Sequence, residues 1–202
     1  MKLKTIRLAD PRALRAYAHP LRLALVGALR REGPLTATRA GELLGESPAS
    51  CSFHLRQLAK YGLVEEAGGG RGRERPWRAT ALYTRLPRVA GTPEQAGASR
   101  LLYRVLADRY FAHLQHWLSG RNAEPRAWQK AAHFGDDMLY LTAGELAELG
   151  RRIDTLLQPY RRRTTHRARR PPGARRVTWL RLAFPGEDAR GRTAGRPTRR
   201  RR

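Results

Sequence analysis

Four stretches of the chain repeat apolar residues at spacings of three and four, the mark of a helix with one buried face. The first carries Leu21, Ala24, Leu25, Ala28 and Leu29, and the second Cys51, Leu55 and Leu58. The third, in a helix expected from about Ala98 to Leu118, carries Leu102, Val105, Leu106, Tyr110, Leu114 and Trp117. The fourth carries Leu146, Leu149, Ile153, Leu156, Leu157 and Tyr160, and Thr142 with Glu145 three positions on forms a capping box at its start. Pro11, after Asp10, and Pro20 each open a helix, because proline is tolerated where the amide has no helical partner. His19, just before Pro20, is a turn-capping or merely exposed histidine.

The most informative stretch is 36–64, which predicts two short helices, a tight turn and the start of a strand. Gly41 leaves room for a second helix to cross closely, and Gly45 can take the positive φ that ends a helix. Ser47 can then cap a new helix that begins at Pro48. On that helix Cys51, Leu55 and Leu58 share one face, which leaves Ser50, Ser52, Phe53, Arg56 and Gln57 outward. A short polar face of this kind suits a major groove. Leu63 and Val64 open a strand, GGGRGRER makes a basic loop, and Pro76 to Thr80 returns with Trp77 as anchor. Strand, loop and strand form a wing, with Arg71, Arg73 and Arg75 placed to follow a phosphate backbone or enter a minor groove. The loop has neither the lysine nor the strand-to-helix setting of a nucleotide-binding loop.

The fold class expected is mainly α with a small β wing: a winged helix-turn-helix domain followed by a helical C-terminal region. Residues 1–86 form the first domain, 87–97 a Pro/Gly/Ala-rich linker, 98–184 a helical region, and 185–202 a disordered basic tail. Short strands are expected at 138–141 (MLYL) and 177–184 (VTWLRLAF), and 2–8 (KLKTIRL) is a strand or an extended arm. Trp128, His133, Phe134 and Tyr140 either line a small aromatic pocket or form plain core.

Charge sharpens this picture. The chain of 202 residues carries 41 basic and 17 acidic side chains. Residues 1–90 hold 17 basic and 7 acidic residues, 91–160 hold 8 of each, and 161–202 hold 16 and 2. A basic front and end around a neutral middle fit a protein whose ends face a polyanion. No apolar run approaches the roughly 20 residues of a membrane span. The N-terminus has no apolar stretch with a cleavage site, so a cytoplasmic protein is implied. The lone cysteine, Cys51, cannot form an internal disulfide and reads as a core side chain or a redox-sensing thiol. No serine or cysteine stands beside a credible histidine and carboxylate pair, and Asp136 with Asp137 is an isolated doublet, so no catalytic set is expected. His113, His116 and Asp108 do not make a metal site, and no cofactor is implied.

SPASCSFHLRQLAKYGLVEEA, followed by GRGRERPWR and preceded by HPLRLALVGAL, resembles the recognition helix, wing and leading helix of ArsR-like winged-helix transcriptional regulators. Within that family it is similar to a metal-independent actinobacterial group, over about residues 10–82. The resemblance implies base reading by Ala49, Ser52, Phe53 and His54. Phe53 stands where polar or basic residues are commoner, which points to contact with a thymine methyl or to packing inside the protein. It also implies that the helix from about Ala98 dimerises, although the same stripe could pack on its own chain. The paired cysteines of the family's metal site are missing around 36–44, so release from DNA should not depend on zinc, cadmium or arsenite. The expected partners are double-stranded DNA and a second copy of the chain, with room for a small-molecule effector and no membrane. The expected function is sequence-specific regulation, by repression, from a near-palindromic operator. The rival is a nonspecific nucleoid- or RNA-associated basic protein in which charge alone supplies the binding.

Overall fold

The computed structural model describes residues 4–69, 75–165 and 167–186. It divides into one compact unit, Met1–Pro171, and a second, Pro172–Arg202. In the first unit β1 (Thr5–Arg7) is followed by α1 (Pro11–Tyr17), α2 (Pro20–Glu32), α3 (Ala37–Leu44) and α4 (Pro48–Ala59). Then come β2 (Val64–Glu66), β3 (Trp77–Ala79), β4 (Tyr83–Arg85), α5 (Pro93–Gly120), α6 (Arg126–Ala131) and α7 (Ala143–Thr165).

The helix starts follow local chemistry. Asp10 accepts from the amides of Arg12 and Ala13, and His19 Nδ1 accepts from the Leu21 amide at 3.2 Å, so His19 is a cap. Each such cap contributes about 1 kcal/mol by satisfying a donor that the helix cannot. α2 is buried on more of its surface than a single stripe predicts. Leu23 and Val26 join Leu21, Leu25, Ala28 and Leu29 in the core, whereas Ala24 is only partly buried. The reason is tertiary: α3, α4 and β3 all pack against this helix.

The strands β2 and β3 pair antiparallel, with Val64 opposite Ala79 and Glu66 opposite Trp77. Leu35 extends this sheet by exchanging two backbone hydrogen bonds with Trp77, at 2.8 and 2.9 Å. Trp77 is buried and anchors the wing to the core. Within 2–8, Thr5–Arg7 form a strand rather than a free arm, since β1 pairs in parallel with β4 from Thr5↔Tyr83 to Arg7↔Arg85, while residues 2 and 3 lie outside the described residues. Arg30 on α2 fixes β4 by donating to the Ala81 carbonyl at 2.9 Å and to Thr84 Oγ1 at 2.8 Å.

The third helix begins earlier than its apolar stripe suggests. Thr92 caps the Gln95 amide, Gln95 Oε1 accepts from the Gly91 amide at 2.6 Å, and Pro93 occupies the first turn. The first turns of α5 then pack on α1, with Ala98, Ser99 and Leu102 buried and Arg15 paired to Glu94 at 2.9 Å. Farther along, Phe111 and Leu118 are exposed. The capping box of α7 forms as expected: Thr142 donates its amide to Glu145 Oε2 at 2.7 Å, and Glu145 returns its amide to Thr142 Oγ1. The stripe of α7 is only partly covered: Leu146, Ile153 and Leu157 are partly buried, and Leu149, Leu156 and Tyr160 are exposed.

Three expectations fail. Residues 138–141 are irregular and exposed rather than a strand. Residues 177–184, in the second unit, are likewise irregular, because no other strand edge supplies their hydrogen bonds among the described residues. Phe134 and Tyr140 are 79% and 98% exposed and His133 is exposed, so these three make neither a pocket wall nor core, and of the four aromatic residues Trp128 alone is partly buried. The basic tail lies outside the described residues, apart from its first two positions. Among the described residues no helix is long and apolar enough to cross a membrane.

Candidate nucleic-acid interface

The turn between α3 and α4 is built by two glycines with different jobs. Gly45 ends α3 in the left-handed region at φ 70°. Gly41 has an ordinary helical backbone, but a Cβ there would lie 2.5 Å from the Glu46 carbonyl oxygen. It admits the returning turn itself, and the Glu46 amide donates back to the Gly41 carbonyl at 3.0 Å. Ser47 then accepts from the Ser50 amide at 3.1 Å, and Pro48 opens α4. This helix stops two residues before Tyr61, where Gly62 takes φ 67° and the Leu63 amide bonds back to Leu58.

Cys51, Leu55 and Leu58 are fully buried, so the rotation of α4 about its axis is fixed by the core. Burial raises the Cys51 thiol above its usual pKa, and Glu46 adds to this, which disfavours the reactive thiolate. The remaining side chains are thereby turned outward. Ala49 and Arg56 are exposed, Ser50, Ser52, His54 and Gln57 are partly buried, and Phe53 is 49% exposed. Phe53 therefore does not pack inside the chain; its ring meets His54 edge-on at 5.2 Å. Arg56 Nη1 donates to Ser52 Oγ at 3.1 Å, so these two outward groups are a pair one turn apart.

Beside α4 the wing carries its own charge. Arg75 Nη1 lies 3.1 Å from Glu66, and Arg78 Nε lies 2.9 Å from Glu65 across the strands. All four side chains are largely exposed, so each pair contributes little and both arginines can exchange partners at low cost. Arg71 and Arg73 lie outside the described residues. Sequence reasoning missed Arg22, which donates from Nε to His54 Nδ1 at 3.1 Å. The two are separated by 32 positions, and no local spacing links them.

His19 and His54 stack with ring centroids 4.4 Å apart. Burial first, then His19 and Arg22, hold the His54 imidazole below its usual pKa, with Glu46 opposing; burial and Arg22 do the same for His19. The folded state thus binds protons less readily than the unfolded chain, whose histidines titrate near 6.5. The stability this lends is complete above that value and is lost as pH falls through it towards the folded-state pKa values. The midpoint of thermal unfolding is expected to drop between pH 7 and pH 5, with a shallower drop in His54→Gln. An unchanged midpoint over that range would refute it.

Among the described residues no group of three or more His, Cys, Asp or Glu side chains comes together in a way that could hold a metal ion.

Residues 17–67, from the end of α1 to just past β2, match the family model of a helix-turn-helix domain. No curated protein matches the chain. Solved structures similar to it include a mutant MarR from E. coli, 14% identical, over 67% of this chain and 75% of that one, with a TM-score of 0.29. The same mutant complexed with operator DNA is 16% identical over 72% and 84%, and the apo form of the wild-type protein 16% over 72% and 87%, each with a TM-score of 0.29.

Proposed function

We propose that this chain is a sequence-specific, double-stranded-DNA-binding transcriptional regulator of the ArsR-like, metal-independent kind. The observation that carries the reading is α4: a helix capped at Ser47, pinned by three buried side chains, and presenting Ala49, Ser52, Phe53, His54, Arg56 and Gln57 beside a two-stranded wing that carries the exposed Arg75 and Arg78. Such a face can enter a major groove and read base edges, while Arg75 and its neighbours hold flanking phosphate. Repression follows from the resemblance to ArsR-like regulators. Action as a dimer is supported by the apolar side chains that α5 and α7 leave exposed, Phe111, Leu118, Leu156 and Tyr160 among them. A second subunit would place a second α4 about 34–36 Å away, matching a near-palindromic operator. Footprinting on duplexes selected from a random pool should show a two-fold symmetric protected site. Recovery of only asymmetric or single-stranded ligands would overturn the reading. So would a ratio of operator to scrambled-duplex affinity well below about a thousand at fixed salt, which is the behaviour of a nonspecific nucleoid or RNA-associated protein.

The Ser52–Arg56 pair gives a residue-level check. With Ser52 on a base edge and Arg56 on phosphate, Ser52→Ala weakens operator binding more than binding to random duplex. Arg56→Ala weakens both and lowers the salt slope by about one. Equal effects of both changes on both ligands would mean that α4 lies in the groove in another orientation.

A further inference from the structure

His54 is held by groups that the DNA-reading face does not include. Arg22 Nε donates to its Nδ1 at 3.1 Å, and Arg22 Nη1 donates to the Ala16 carbonyl at 2.6 Å, so the guanidinium is clamped between the end of α1 and α4. On another side the His19 ring lies 4.4 Å away, tilted by 36°, and its own Nδ1 is occupied by the Leu21 amide. A guanidinium can only donate, and a neutral imidazole has one donor and one acceptor nitrogen. His54 Nδ1 is therefore the acceptor, and the ring proton sits on Nε2. Ser99 Oγ is the one buried side-chain polar atom without a partner among the described residues, and His54 makes no second hydrogen bond there. Nε2 is the His54 nitrogen that has no hydrogen-bond partner among the described residues.

We propose that Arg22, with His19 stacked against the ring, is a positioning residue for DNA reading: it fixes His54 as an Nε2–H donor directed at a base-edge acceptor. This rests on the assignment of α4 to the major groove. The chemistry then selects among bases. Guanine O6 and N7, adenine N7 and thymine O4 can accept from that N–H, whereas cytosine offers an amino donor and is rejected at the contacted position. Lysine at position 22 could not reproduce the effect, because one ammonium on a flexible stem does not span the Ala16 carbonyl and the imidazole in a fixed fork.

The test uses the full chain, a duplex recovered from a random pool by the unsubstituted protein, and a scrambled duplex at the same salt. His54→Gln, whose amide can place a donor near the Nε2 position, should keep most of the selectivity ratio. His54→Leu and Arg22→Ala should each lower it about tenfold, the loss expected of one hydrogen bond. Because Arg22 acts through His54, adding Arg22→Ala to His54→Leu should lower the ratio no further. Nitrogen-15 NMR of the histidine rings should report the Nε2–H tautomer for His54 in the unsubstituted protein and a mixture in Arg22→Ala. If Arg22→Ala does not fold, the tautomer and the His54→Gln against His54→Leu comparison decide the matter alone. An Nδ1–H tautomer, or fully additive losses, would overturn the proposal. An unsubstituted protein that does not distinguish the two duplexes would instead overturn the assignment of α4 to base reading, while the tautomer would still report on Arg22.

Discussion

Gly41→Ala is expected to destabilise the protein by about 2–3 kcal/mol, toward the upper end for an overpacked site. The obstacle is the Glu46 carbonyl, 2.5 Å from the new methyl, and it belongs to the backbone of the turn that aims α4. No side-chain rotation can relieve that clash, so the turn must open. With a total stability of about 5–15 kcal/mol for a typical domain, the loss is a large share of the whole. Affinity for duplex DNA should fall as well, since α4 and the wing share one core. Gly45 provides the control. Nothing lies within 4 Å of a Cβ built there, and only its φ of 70° resists a side chain. Gly45→Ala should therefore cost about 1–2 kcal/mol, and Gly45→Asn less, because asparagine tolerates the left-handed region. Thermal unfolding of the three variants orders them. A Gly41→Ala protein no less stable than Gly45→Ala would show that the close approach is not what position 41 requires.

Deleting residues 186–202 is expected to change salt dependence more than any single substitution. That segment holds seven arginines against two acidic residues and has no apolar anchor, so it attracts phosphate without fixing a geometry against base edges. Each phosphate that the protein ceases to neutralise lowers the slope of log affinity against log salt by about 0.9, and engagement of most of the arginines would make the change roughly four to six units. Nonspecific affinity and association rate should fall with it, and the preferred sequence should stay the same. Titration of full-length and truncated protein at four or five salt concentrations measures the slope directly. An identical slope would mean that the tail touches nothing, and a shifted sequence preference would mean that it reads DNA.

The sequence by itself determined the features whose energetics close within a few residues. Ser47 and Pro48 announce α4, Gly45 the end of α3, Thr142 and Glu145 the start of α7, and the spacing of Cys51, Leu55 and Leu58 the buried face. Even the early start of α5 was legible in Thr92, Pro93 and Gln95, a local cap hidden inside a stretch whose composition resembles a linker. Tertiary structure decided what depends on a partner far along the chain. The β1–β4 pair joins Thr5 to Tyr83, and no local pattern says which edge a three-residue strand will find. Residues 177–184 have the composition of a strand and remain irregular, since a strand needs a neighbour's hydrogen bonds and composition cannot supply one. The aromatic residues from 133 to 140 stay in solvent because burial is conferred by surrounding elements rather than by residue type. His54 could be placed on the outward side of α4 from its position alone. That Arg22 sets its tautomer could not, because the hydrogen bond exists only once α2 and α4 have packed.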